Sequence, residues 1–269
     1  MNSEMIRKSK KKLTIIRDLG PYSSRYSSKG SLLTEAGNVI HSLSKDFTIE
    51  EVRKQAVDGS ILRQRTLASR QRVWRLLHYR LLAHRTPWLE NALKRARENG
   101  SHSPEFVSLV YLHYALRDHL TYDVVTNVIW NKWQNGQTEI NREDVLSLLD
   151  DASRIQPQIN RWAESTRVKL AASILTALRD FGVLDGSQKK SIVRPVFPIF
   201  AAENLLRILI SEGIQGREVL EHSTWRLFLC TQEDVANVLV RLDQAKRIQF
   251  ERTGDIIVLH TPEDWKEAI

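Results

Sequence analysis

The sequence predicts a mainly α fold. An all-helical N-terminal unit is followed by a helical unit that ends in a small β-hairpin, as a winged helix does. Three observations carry this reading. Apolar residues recur at helical spacing from Leu32 onward, with no strand-length alternation before residue 152. Capping chemistry stands ahead of several periodic stretches: Thr48 with Glu51 three residues on, and Ser103 followed by Pro104. Near the C-terminus, Arg247-Ile248-Gln249-Phe250-Glu251-Arg252 and Ile256-Ile257-Val258-Leu259 flank Thr253-Gly254-Asp255, the pattern of a hairpin.

At 269 residues the chain suits two domains, or one large domain with an arm. Residues 1–30 carry no apolar periodicity and read as a flexible basic arm (Lys8, Lys10, Lys11, Lys12, Arg17) with a Gly/Pro/Ser connector. Removing residues 1–19 is therefore expected to leave stability unchanged. Residues 31–152 form the all-helical domain, with helices near 32–43, 49–57, 66–83, 88–98, 104–116, 122–134 and 143–152. Gly100 and Gly136 sit where helices should stop. Residues 153–269 form the winged-helix-like domain, with helices near 159–181, 200–211 and 231–245, a short extended piece near 191–193, and the hairpin near 247–259.

Charge is segregated along the chain. The formal net charge of +8 divides into +6 for residues 1–30, +8 for 61–99 and +5 for 152–198, with negative blocks of −2, −5 and −4 between and after them. Three basic islands separated by acidic stretches are the footprint of a polyanion-binding surface. Solvated helix faces with no partner are the alternative. On a helix over 66–83, Leu67, Val73, Trp74, Leu77 and Leu81 share the core stripe. Arg72, Arg75 and Tyr79 fall on the opposite face, with Arg65 just upstream. Guanidinium forks beside an aromatic suit phosphate contact. Arg70 lies on the apolar side and is expected to pair with a carboxylate.

A second candidate surface lies at 161–181. There Ser165, Lys169 and Ser173 project outward with Trp162 and Thr166, and Lys189, Lys190 and Arg194 follow. Arg247 and Arg252 could reach nucleic acid as a wing does, although residues 199–269 are acidic overall.

Signals for catalysis are poor. Phosphate-loop, dinucleotide, nucleophile-elbow and HExxH motifs are all missing. His78/His84 and His113/His119 are six apart, which does not align two ligands on a helix. The single cysteine, Cys230, sits in an apolar run and reads as core. No cofactor, metal, small-molecule substrate or membrane contact is expected. A chain with one cysteine and no run of about 18 apolar residues suits the cytoplasm.

Several stretches taken together resemble the BrxA family, a small component of BREX bacteriophage-exclusion systems. They are Ser69-Arg70-Gln71-Arg72-Val73-Trp74-Arg75, Tyr79-Arg80-Leu81-Leu82, Trp88-Leu89, Leu112-His113-Tyr114-Ala115, the helix from Trp162 to Gly182, Gly213 to Gly216, and Trp225-Arg226-Leu227-Phe228-Leu229. The resemblance covers roughly residues 60–260. It implies a bacterial, mostly helical protein with a NusB-like fold and helix-turn-helix-like elements. It also implies DNA binding in phage defence beside other BREX subunits, without catalysis. It brings no catalytic residues, so the contact residues above rest on the helical-wheel argument. Three functions stay open: a double-stranded DNA binder, an RNA-binding factor such as a NusB-like fold allows, and a protein–protein interaction module. Exposed aromatics near the basic islands are few, Tyr79 and Trp162, which favours duplex DNA.

Overall fold

The structure, a computed structural model, describes residues 16–25, 29–45, 47–83, 86–254 and 256–265. Its chain is mainly helical, with a small antiparallel hairpin near the C-terminus. Helices α1 (Leu33–Leu43), α2 (Ile49–Asp58), α3 (Leu67–Leu77) and α4 (Pro87–Glu98) precede α5 (Pro104–Leu116), with α2 packed between α1 and α3. The expected caps form. Thr48 Oγ1 accepts from the Glu51 amide at 3.3 Å and the Glu51 carboxylate accepts from the Thr48 amide at 2.7 Å. Ser103 Oγ likewise accepts from the Phe106 amide at 3.3 Å, with Pro104 opening α5.

Helix α5 is apolar on every side and is buried from Phe106 to Leu116 apart from Val107. A helix of that composition must be wrapped by others. It packs against α1, α4, α6 (His119–Asp123) and α10 (Ile199–Ser211). Because α10 belongs to the second half of the sequence, one apolar core runs without interruption from Ile16 to Trp265.

Two helices widen where periodicity predicted regular turns. After Leu77, α3 continues as a π segment, His78–Leu82, and α6 continues as another, Val124–Ile129, before α7 (Trp130–Gln134). Helix α8 (Arg142–Ser153) opens with a second capping box, Asn141 with Asp144. The helix expected from 159 is broken: a 3-10 turn at Pro157–Arg161 ends in extended backbone at Trp162, and α9 runs only from Glu164 to Asp180. The break lets Trp162 pack partly buried against the core instead of standing on the outer face.

Residues 31–152 are not wholly helical. Strand β1 (Glu139–Ile140) pairs antiparallel with β3 (Lys190–Ile192), which also pairs with β2 (Leu184–Asp185). This small sheet joins the two halves of the chain. After α10 come α11 (Arg217–Glu221), a 3-10 turn at Ser223–Phe228, and α12 (Gln232–Gln244), which opens with the Thr231–Asp234 capping box. Strands β4 (Gln249–Thr253) and β5 (Ile256–His260) then form the expected hairpin.

Residues 16–19, expected to belong to a flexible arm, are packed against the helices. Ile16 is 1% exposed in the core, and its carbonyl accepts from Arg117 Nη1 at 2.9 Å. The Asp18 amide donates to the Leu116 carbonyl at 2.8 Å, and Arg17 pairs with Glu212 at 2.8 Å. Residues 16–19 are thus structure rather than flexible arm. Residues 1–15, which hold Lys10, Lys11 and Lys12, lie outside the described residues.

Candidate nucleic-acid interface

Helix α3 faces the core with Val73, Trp74, Leu76 and Leu77, and the π segment adds Leu81. Leu67 does not join them. It is the first residue of the helix and is 52% exposed, while Leu76 takes a core position that the wheel left unassigned. The predicted outer stripe is real for its cations: Arg65, Arg72 and Arg75 are exposed. Arg72 and Arg75 lie within one turn of each other, so their guanidinium groups can meet neighbouring phosphates on a strand.

Tyr79 departs from its expected place on the open face. It is half-buried, its hydroxyl donates to the Asp18 carboxylate, and its ring lies 4.3 Å from the Arg117 guanidinium carbon. Arg70 is also differently employed. Instead of a carboxylate it meets backbone: Nε donates to the Val57 carbonyl at 2.8 Å and Nη1 to the Gln64 carbonyl at 2.9 Å. Carbonyls near a helix C-terminus have no intrahelical partner, and Arg70 supplies one.

Sequence reasoning passed over two cations on α2. Arg53 and Lys54, with Arg75, Gln71, Glu50 and Glu51, line a groove of about 460 Å³ between α2 and α3 that also takes in Val57 and Trp74; Arg53 is paired with Glu50 at 2.9 Å. Averaging with Glu50, Glu51 and Asp58 hid them in a block of net −2. Reading α2 one helical face at a time would have exposed them.

The second surface is smaller than predicted. Ser165 and Lys169 are exposed on the first turns of α9, but Thr166 and Ser173 are half-buried, and Ser173 accepts from the Gly30 amide at 3.2 Å. Lys189 is exposed in the turn between β2 and β3, past the opposite end of α9. The neighbouring Lys190 donates to the Ser187 carbonyl at 2.8 Å. Arg194 is committed to Asp234 at 2.7 Å. That bond raises the Arg194 pKa. Burial alone would raise Asp234, but its bonds from Arg194 and Thr231 outweigh this and lower its pKa. Wing cations are tied down as well: Arg252 reaches Glu233 at 3.3 Å and Arg247 reaches Glu203 at 3.7 Å. Helix α12 shows solvent Gln232, Glu233, Asn237, Val240 and Arg241, a face poor in net positive charge.

The buried ionisable groups serve the interior. Burial, reinforced by Arg117, pushes His113 down to about 4, so it stays neutral in the core. Burial also raises the Cys230 thiol, the reverse of nucleophile activation. Among the described residues, no group of three or more His, Cys, Asp or Glu side chains could hold a metal ion. No helix among them is long and apolar enough to cross a membrane.

Fold and site together define a mainly helical protein that shows exposed arginines on α3. The chain belongs to the BrxA family, whose model matches residues 20–207, and so is a component of a BREX phage-defence system. The match takes in the connector, α1 and α2, and stops within α10. It therefore begins earlier and ends sooner than the 60–260 span of the resemblance. The fold is similar to the crystal structure of an uncharacterized protein from Magnetospirillum magneticum, with a TM-score of 0.61 and 17% identity. That likeness covers 78% of this chain and 100% of the other. No match to a curated protein was found.

Proposed function

We propose that this chain is a non-catalytic, double-stranded DNA-binding component of its BREX system, gripping mainly the phosphate backbone. The observation that carries the reading is the exposed pair Arg72 and Arg75 on α3, opposite a face fully spent on the core. Arg65 upstream and Lys54 across the groove add to this surface, while Arg53 is paired with Glu50 at 2.9 Å and Glu50 and Glu51 line the same groove. Ser165, Lys169 and Lys189 are proposed as a second, weaker contact, and the arm lysines Lys10, Lys11 and Lys12 as a third. Phosphate contacts carry no sequence information, so binding is expected to tolerate sequence. The α12–hairpin unit follows the order of a winged helix, but its acidic and apolar exposed side chains suit docking to other BREX subunits better than phosphate.

Competition of one labelled duplex by unlabelled duplex DNA, single-stranded DNA and duplex RNA tests the reading. Unrelated duplex DNAs are expected to compete equally and the other two more weakly. RNA competing better than DNA would transfer the function to RNA, and failure of the parent to bind any of them would leave the protein–protein reading standing.

A further inference from the structure

The C-terminal hairpin has one covered edge and one open edge. Helix α12 packs against β4, and the Asp243 carboxylate accepts from the Phe250 amide at 3.1 Å. That amide therefore points away from β5. Phe250 stands opposite Leu259, and in an antiparallel ladder such a pair turns its backbone groups outward on both strands. The next pair of this kind is Arg252 with Ile257. On β5 the amides and carbonyls of Ile257 and Leu259 are thus directed away from β4, and among the described residues they meet no hydrogen-bonding partner.

The sequence does not guard this edge. Ile256-Ile257-Val258-Leu259-His260 holds no lysine, acid or proline, and its register against β4 runs without a bulge. Those are the devices by which sheets keep an edge from pairing with another chain. Ile256 and Val258, on the hairpin face opposite buried Phe250, are 68% and 38% exposed.

The strand is also its own complement. About a two-fold axis at Val258, antiparallel pairing sets Ile257 opposite Leu259 of a second copy, and Leu259 opposite Ile257. Those are the residues whose backbone groups point outward. Val258 then meets Val258 at the closer spacing, Ile256 meets His260, and no two like charges stand opposite each other. The β4 edge, with its Phe250 amide taken by Asp243, offers no second edge of this kind. The pairing therefore closes at two chains rather than running on as a filament.

We propose that β5 is the edge through which two copies of this protein associate. They pair antiparallel into one sheet ordered β4–β5–β5–β4, with about four new backbone hydrogen bonds. So short an edge buries less than a standard interface of about 1,200 Å², which makes the dimer weak and dependent on concentration.

Sedimentation velocity of the full chain, without DNA, over about 5–200 μM tests the proposal. The parent is expected to pass from monomer to dimer across that range. Val258→Lys sets two ammonium groups against each other at the axis and is expected to weaken association about tenfold with the thermal melt unchanged. Val258→Cys is expected to form a disulfide-linked dimer under mild oxidation, because paired residues of this kind stand about 4.5 Å apart at Cα. Glu251→Cys, one strand further out and about 14 Å from its copy, is not. Cys230 is buried and does not compete. A parent that stays monomeric throughout overturns the proposal, as does a dimer that Val258→Lys leaves intact. If the melt shows Val258→Lys unfolded, the cysteine variants decide: linkage of both alike, or of neither, overturns it.

Discussion

Replacing Arg17 with methionine removes the cation from a carboxylate that has almost no access to water. The Glu212 side chain is 1% exposed, that of Arg17 is 17% exposed, and their charged atoms stand 2.8 Å apart. Taking away one member of such a pair costs about 3–5 kcal/mol, because the remaining charge stays buried. Partial exposure of Arg17 places this pair near the lower end, about 3 kcal/mol. For a chain of this size each kcal/mol moves the melting temperature by about 2–4 °C, so Arg17→Met should lower it by about 6–12 °C. Arg17→Met combined with Glu212→Gln removes both charges and should recover most of that loss. Urea melts followed by circular dichroism and tryptophan fluorescence measure both. The reasoning fails if Arg17→Met costs less than about 1 kcal/mol, or if the double variant is no more stable than the single one. Truncation gives the same lesson: removing residues 1–19 forfeits the Arg17–Glu212 pair and also the buried Ile16, worth about 2–3 kcal/mol.

Three further outcomes are expected. Arg72→Glu with Arg75→Glu should leave the melting temperature within about 2 °C, since both side chains are exposed, while weakening duplex binding at least tenfold in an anisotropy titration. Arg70→Ala should cost about 1.5–3 kcal/mol in a urea melt, because two carbonyls at the α2–α3 junction lose a charged donor. Acidification from pH 7 to pH 5 should destabilise the protein by about 2 kcal/mol through His113. Its pKa of about 4 in the fold lies below its ordinary 6.5, so between those values the unfolded chain binds more protons and stability falls as pH falls. His113→Gln should remove that share of the pH dependence and leave the share of His222, which burial and Arg17 also hold at about 4.

Much of the helical framework was legible because its signals are local. Thr48, Ser103 and Thr231 cap where spacing says they should, and the hairpin follows from Gly254 between two β-rich runs. What escaped depends on distant partners. Strand β1 is two residues long and exists only because β3, some fifty residues later, lies beside it. The π segments at His78–Leu82 and Val124–Ile129 keep the same apolar spacing as ordinary turns, so periodicity does not reveal them. At the candidate interface, the exposure of Arg72 and Arg75 was readable from the helical wheel alone. Tyr79 was not, because the group that draws it inward, Asp18, comes from sixty-one residues upstream. Arg194 was misjudged for a related reason: its carboxylate, Asp234, belongs to the N-terminal cap of α12.

The central claim is that the chain grips duplex DNA by its phosphates, and the salt dependence of binding by the unmodified protein tests it most directly. Contacts with about five to eight phosphates predict a log–log slope of affinity against salt between about −4.5 and −7, the same for unrelated duplex sequences. A slope near zero, or one that differs sharply between sequences, would contradict it.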